Sequence, residues 1–279
     1  MTEQLAFGNI RKMITSLESG KVNYTLPIGE ERIAMNALIG EQIILCHSSE
    51  IHCVHCGRKT KKSFSQGFCY PCFSQLAQCD KCMMSPEKCH FQEGTCRDPE
   101  WAQDNCFIDH YVYLANSSGL KVGITRGTQI PTRWMDQGAV QALPILRVST
   151  RQLSGLCEVL FKEHTADKTN WRKMLKNEVD IIDLPAERDR LLALVNDGIK
   201  ALETEYGIQS ITPLLEAETV TIDYPVIEYP SKVTSHNLDK TPEVKGKLMG
   251  IKGQYLILDT GVINLRKFGG YSLSLSKGE

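Results

Sequence analysis

Two pairs of cysteines, CVHC at 53–56 and CYPC at 69–72, constrain this chain more than any other feature. Two residues between thiolates let both sulfurs of one turn reach a single tetrahedral ion about 2.3 Å away, and two such pairs complete the coordination of a structural zinc. Cys53, Cys56, Cys69 and Cys72 are therefore read as zinc ligands. The block around them, residues 51–108, has few large aliphatic side chains, so metal must substitute for a hydrophobic core there. Ten of the eleven cysteines lie between Cys46 and Cys106. The N-terminus, MTEQLAFGNIRKM, lacks a secretory pattern, and such crowding in a reducing compartment favours metal ligands over disulfides.

FSQLAQ after the second pair predicts a short helix, an arrangement that resembles a zinc ribbon or treble clef. A third pair, Cys79 and Cys82, is followed by Cys89, Cys96 and Cys106. The preferred second ligand set is Cys79, Cys82, Cys96 and Cys106, with Cys89 and His90 as alternatives. The occupant is a second zinc or an iron–sulfur cluster, which four thiolates also suit. Cys46 and Cys157 read as small buried residues. Between the first two pairs, GRKTKKSFSQGF carries Arg58, Lys59, Lys61 and Lys62, no acidic residue, and Phe64. A metal-pinned basic loop with an aromatic suits phosphate contact plus base stacking on DNA or RNA; the plainer reading is a solvated hairpin tip.

The 279 residues suffice for two or three compact units, and 42% hydrophobic with 23% charged residues exclude wholesale disorder. With 32 basic against 33 acidic residues, any attraction to nucleic acid must come from local patches. No apolar run approaches the roughly 20 residues of a bilayer span, so no membrane association and a cytoplasmic location are expected. The fold class expected is α+β. It divides into an N-terminal β segment (1–50), the cysteine block (51–108), a small sheet with helices (109–208) and a C-terminal antiparallel β unit (215–279). YVYLA (111–115) and LKVGIT (120–125) predict two strands joined by a tight turn, and helices are predicted near 131–140, 151–164, 168–177 and 185–205. No internal repeat is evident in the sequence.

The stretch HYVYLANSSGLKVGITRGTQIPTRWMDQGA (110–139) resembles the GIY-YIG nuclease superfamily, with YVY (111–113) for the first motif and KVG (121–123) for the second. Over most of its length the chain is also similar to an uncharacterised bacterial domain-of-unknown-function family, number 2797. CGRKTKKSFSQGFCYPC, RWMDQGA, DKTNWRKML and GIKGQYLILDTGVINLRK carry that similarity. The nuclease resemblance implies a small sheet with two tyrosines, an arginine on the next helix and a metal-binding glutamate on a later one. By that resemblance Tyr113 is the first-motif tyrosine, Gly123 the second-motif glycine, Arg133 the arginine and Glu158 the glutamate. Asn170 or Asn177 stands for a late polar residue. Lys121 replaces the second-motif tyrosine; lysine can bind phosphate as a point charge but is not a phenol.

These assignments imply hydrolysis of phosphodiester bonds, with Tyr113 or Lys121 as base, Arg133 on the developing charge and Mg²⁺ or Mn²⁺ at Glu158. Arg126 adds a cation beside the motif. Three readings follow: a metal-dependent nuclease, a nucleic-acid-binding protein that keeps the fold without the chemistry, and a zinc-dependent scaffold for a protein partner.

Overall fold

In the computed structural model, which describes residues 2–165 and 170–278, the chain begins with five strands. They are β1 (Glu3–Asn9), β2 (Ile14–Glu18), β3 (Lys21–Ile28), β4 (Glu31–Ala34) and β5 (Gln42–His52). The cysteine block adds β6 (Lys59–Thr60), α1 (Tyr70–Gln75) and α2 (Pro99–Asn105). The central region contributes β7 (His110–Asn116), β8 (Leu120–Arg126), α3 (Thr132–Asp136), β9 (Gln141–Val148), α4 (Arg151–Lys162), α5 (Trp171–Leu175) and α6 (Leu184–Tyr206). Two short strands, β10 (Ile211–Pro213) and β11 (Val220–Thr221), precede β12 (Glu243–Lys252), β13 (Tyr255–Leu258), β14 (Gly261–Asn264) and β15 (Tyr271–Gly278). The protein is thus α+β with several antiparallel sheets. Among the described residues no helix is long and apolar enough to cross a membrane.

Strands from opposite ends of the chain share one sheet, in the order β1-β15-β5-β12-β13-β14. The expected N-terminal and C-terminal β units are therefore hydrogen-bonded into one body. They also repeat one another. Ile28, Gly40, Leu45 and Ile10 of the first unit correspond to Leu258, Gly270, Leu275 and Leu248 of the second. In each unit a hairpin leads through a 3₁₀ turn (Met35–Leu38, Leu265–Phe268) to a glycine with positive φ and then to the last strand. The two last strands pair symmetrically, Leu45 opposite Leu275. The edge contacts match as well: Gly40 N donates to Leu248 O while Leu248 N donates to Glu41 O, and Gly270 N donates to Ile10 O while Ile10 N donates to Tyr271 O. A pseudo-two-fold axis thus runs between β5 and β15.

The central sheet runs β10-β9-β7-β8, with β11 also paired to β9. Because side chains alternate along a strand, β7 divides its residues between two cores. Val112 and Leu114 pack with Leu153, Cys157 and Phe161 of α4 and with Leu191 and Val195 of α6. Tyr113 and Ala115 face the other way, into a core with Trp134, Met135, Ile251 and Leu256 that continues into the β body. α6 is capped by Asp183, whose carboxylate accepts from Ala186 N, and ends at Gly207 with φ +101°. α5 begins at Trp171 with Asn170 as its cap; residues 168 and 169 of the expected helix lie outside the described residues.

Candidate functional site

β5 delivers Cys53 to a tight turn closed by Gly57, β6 returns beside His52, and Cys69 then caps α1 so that Cys72 falls in its first turn. This brings the sulfurs of Cys53, Cys56, Cys69 and Cys72 within 4.8 Å of one another. Cys56 and Cys69 Sγ are 3.8 Å apart, close to the edge of a tetrahedron with metal–sulfur bonds of about 2.3 Å. Burial alone raises the Cys53 thiol, but the amides of Cys56, Cys69 and His55 outweigh it and bring it down to about 6. Desolvation and the neighbouring sulfurs of Cys69, Cys56 and Cys53 push Cys72 up to about 12. Four thiolates so close require a cation, and the donor set fits a structural metal such as zinc.

The later cysteines divide differently from expectation. Cys82, Cys96 and Cys106 line one hollow together with Cys89, whereas Cys79 lines a neighbouring one. Asp80, Cys82 and His90 form a second close group, with ligand atoms within 4.8 Å of one another. The signal for Cys89 was available in the sequence, since Cys82, Cys89 and Cys96 recur at every seventh position.

In the basic loop, Arg58, Lys59, Lys61 and Lys62 are exposed, and Lys59 pairs with Glu50 at 2.5 Å. Phe64 is half-buried: its ring stacks on Phe73 at 5.6 Å, meets Tyr70 edge-on and has Lys62 Nζ 5.5 Å from its centroid. Tyr70, at the start of α1, is 63% exposed. Gln66 at the loop tip accepts from Arg266 Nε at 2.5 Å, and Arg266 lies 3.9 Å from Asp136 at the end of α3. The metal hairpin is thereby tied to the central site. Arg126 donates to Asn105 Oδ1 and so holds the C-terminal end of α2.

At the central site Tyr113 pairs with Gly123 across β7 and β8, and its ring lies over that glycine. A Cβ at position 123 would sit 2.6 Å from Tyr113 Oη. Tyr113 is fully buried, donates to Gln137 Oε1 at 3.0 Å and meets Trp134 edge-on at 6.0 Å. Trp134 is itself buried and belongs to the core. Burial raises the Tyr113 phenol above its ordinary value; the Arg133 guanidinium lowers it and the Glu158 carboxylate adds to the rise. Lys121 stands two residues before Gly123 on the same sheet face. Burial brings its ammonium down to about 8, with Arg133 acting in the same direction and Glu158 against it. Tyr113 and Lys121 therefore sit in the field of the same two charges, one from α3 and one from α4. Glu158, with 15% of its side chain exposed, lies 3.2 Å from Lys162 Nζ. His110 is fully buried, which brings it down to about 4, and its Nδ1 meets Ile108 O at 2.8 Å.

An α+β protein built of antiparallel sheets, with a four-cysteine group able to hold a metal ion, is the class these features define. The chain belongs to the family described as "Protein of unknown function (DUF2797)", whose model matches residues 40–273. No curated protein and no solved structure matches the chain.

Proposed function

We propose that this protein is a divalent-metal-dependent phosphodiesterase that cleaves DNA or RNA at the β8 edge of the central sheet, in the manner of GIY-YIG nucleases. The observation that carries this reading is the convergence of Tyr113, Lys121, Arg133 and Glu158 from two strands and two helices into one electrostatic neighbourhood. The element order β7, β8, α3, β9, α4 supports it, with the arginine on the first helix and the glutamate on the second.

The electrostatics divide the roles. Tyr113 holds its proton, because burial disfavours the phenolate, so it positions rather than abstracts. Lys121, at about 8, has a neutral fraction near physiological pH that can take a proton from the attacking water. Arg133 donates to the non-bridging oxygens as charge builds on them. Glu158, 3.2 Å from Lys162 Nζ, would be the carboxylate that holds Mg²⁺ or Mn²⁺, which would supply a Lewis acid for the phosphate. As water oxygen bonds to phosphorus, the bond to the leaving oxygen breaks and that oxygen takes a proton from solvent. Lysine in place of the second-motif tyrosine is then a change of base rather than a loss of function. The exposed cations of the metal hairpin, Arg58, Lys61 and Lys62, would track the strand backbone.

The test is a Mg²⁺- or Mn²⁺-dependent cleavage assay on single- and double-stranded DNA and RNA. Arg133→Ala should lose roughly 100-fold or more, Lys121→Ala on the order of 100-fold, and Glu158→Ala all metal-dependent turnover. The rate should rise with pH through about 8, as Lys121 loses its proton. Cleavage indifferent to all three substitutions would remove the assignment. Salt-sensitive binding without cleavage would leave the non-catalytic reading, which the closeness of Lys162 to Glu158 favours.

A further inference from the structure

Against the C-terminal half of α2, four cysteines of the segment 82–106 line a single hollow: Cys82, Cys89, Cys96 and Cys106. The rest of its wall is apolar at Met83, Phe91, Trp101, Ala102 and Phe107, and carries one ion pair, Asp80 with Arg97. Phe91 and Phe107 meet edge-on at 4.6 Å and close one side. This segment, like the first knuckle, has little aliphatic core of its own. Among residues 79–106 only Asp80, Pro86 and Ala102 are buried to core level.

We propose that Cys82, Cys89, Cys96 and Cys106 hold a second metal centre, independent of the first, and that its occupant is an iron–sulfur cluster. Four thiols around one hollow are the donor set of such a cluster. Their spacing differs from that of the first group. The sulfurs of the first group all lie within 4.8 Å of one another, as one tetrahedral ion demands. Among the described residues, the group that lies that close at this hollow is Asp80, Cys82 and His90 rather than the four sulfurs, and a multi-iron core holds its cysteine sulfurs further apart than one zinc does. The nearby polar groups also hold the loop, and His90 Nε2 lies 3.5 Å from Asp80 Oδ2. Asp80 accepts from Arg97 Nε at 2.9 Å and from Lys81 N at 2.5 Å, and His90 Nδ1 meets Thr95 Oγ1 at 2.7 Å. Assembly would deprotonate the four thiols and release their protons to solvent.

The centre would also brace α4. Arg151 N donates to Cys106 O at 2.7 Å, and Arg151 Nη2 donates to Met83 O at 2.8 Å. Gly155 lies against the 3₁₀ turn between Cys82 and Cys89 so closely that a Cβ would fall 2.6 Å from Glu87 N. This inference stands whether or not the central cleft cleaves nucleic acid.

The experiment is metal and acid-labile sulfide analysis of the full chain, purified without oxygen, with its visible absorption spectrum. Cys89→Ser, Cys106→Ser and Cys79→Ser are compared with the native protein. The expected result is one zinc per chain plus iron and sulfide with a broad brown thiolate-to-iron band. Cys89→Ser and Cys106→Ser should lose the band and the iron but keep the zinc, while Cys79→Ser keeps both. Amide exchange in the first turns of α4 should quicken in the two variants that lose iron. A second zinc in place of iron would overturn the cluster and leave the ligand set. One metal per chain in the native protein, or loss of the second metal in Cys79→Ser but not in Cys89→Ser, would overturn the centre itself. Should a variant fail to fold, alkylation of the native chain decides: these four thiols must be protected until the second metal is stripped.

Discussion

Position 123 has room for a hydrogen and nothing more, because the ring of Tyr113 fills the space a side chain would take. Gly123→Ala must therefore displace Tyr113 from Gln137. Overpacking of this kind costs about 1–3 kcal/mol, and the denaturation midpoint should fall accordingly, with any cleavage activity falling further. Lys252 makes a different prediction. It is fully buried, its ammonium donates to Asn177 Oδ1 at 2.6 Å and lies 5.4 Å from the ring centroids of Tyr224 and Tyr229, and burial brings it down to about 8. In the unfolded chain the same group keeps its proton up to about 10.5. Between those values the unfolded state binds the extra proton, so stability rises with pH across the window. The penalty is complete below about 8 and gone above about 10.5, and the shift sets its ceiling at about 3 kcal/mol. Lys252→Met, which keeps the apolar stem, should flatten that rise when urea midpoints are compared at about pH 8 and about pH 10. The sequence revealed neither residue's setting. A lysine in GIKGQ carries no mark of burial, and Gly123 was placed only by its likeness to a motif.

At the scale of elements, the first cysteine knuckle was the most legible part of the molecule. Ligand spacing is a local property, and CxxC fixes its own geometry whatever surrounds it. The later cysteines were less legible because their grouping depends on how the 3₁₀ turn Pro86–Lys88 packs against α4, a tertiary fact. The same limit explains Phe64: the basic loop was visible, but the direction of its aromatic is set by Phe73 on the following helix. For the knuckle the prediction is strict. Cys69→Ser, or a chelator strong enough to strip the ion, should melt residues 53–76, seen as rapid amide exchange there. The thermal midpoint of the whole chain should fall too, because His52 N donates to Gly270 O and Ser63 Oγ to Gly269 O across the join with the β body. Exchange in that segment unchanged after complete metal removal would contradict a folding role for the ion.

At the scale of the molecule, the repeat escaped the sequence because its two copies share a pattern and few residues. Ile43 and Leu45 correspond to Leu273 and Leu275, and Gly40 to Gly270; most other matched positions keep only buried or exposed character. A sheet constrains the face a side chain points to more than its identity. Each copy completes the other, since β5 is flanked by β15 and β12 and neither lies nearby in sequence. Residues 1–52 alone should therefore show no dispersed amide spectrum, and adding a peptide of residues 240–278 should restore one. A folded, dispersed isolated fragment would refute this dependence.

The pairing of β1 with β15 also bears on how the chain is made. β1 is made before β15, and everything between them is translated while that edge stands open. Until β15 arrives, β1 offers unpaired backbone to any passing chain, an exposure that lasts as long as the intervening residues take to translate.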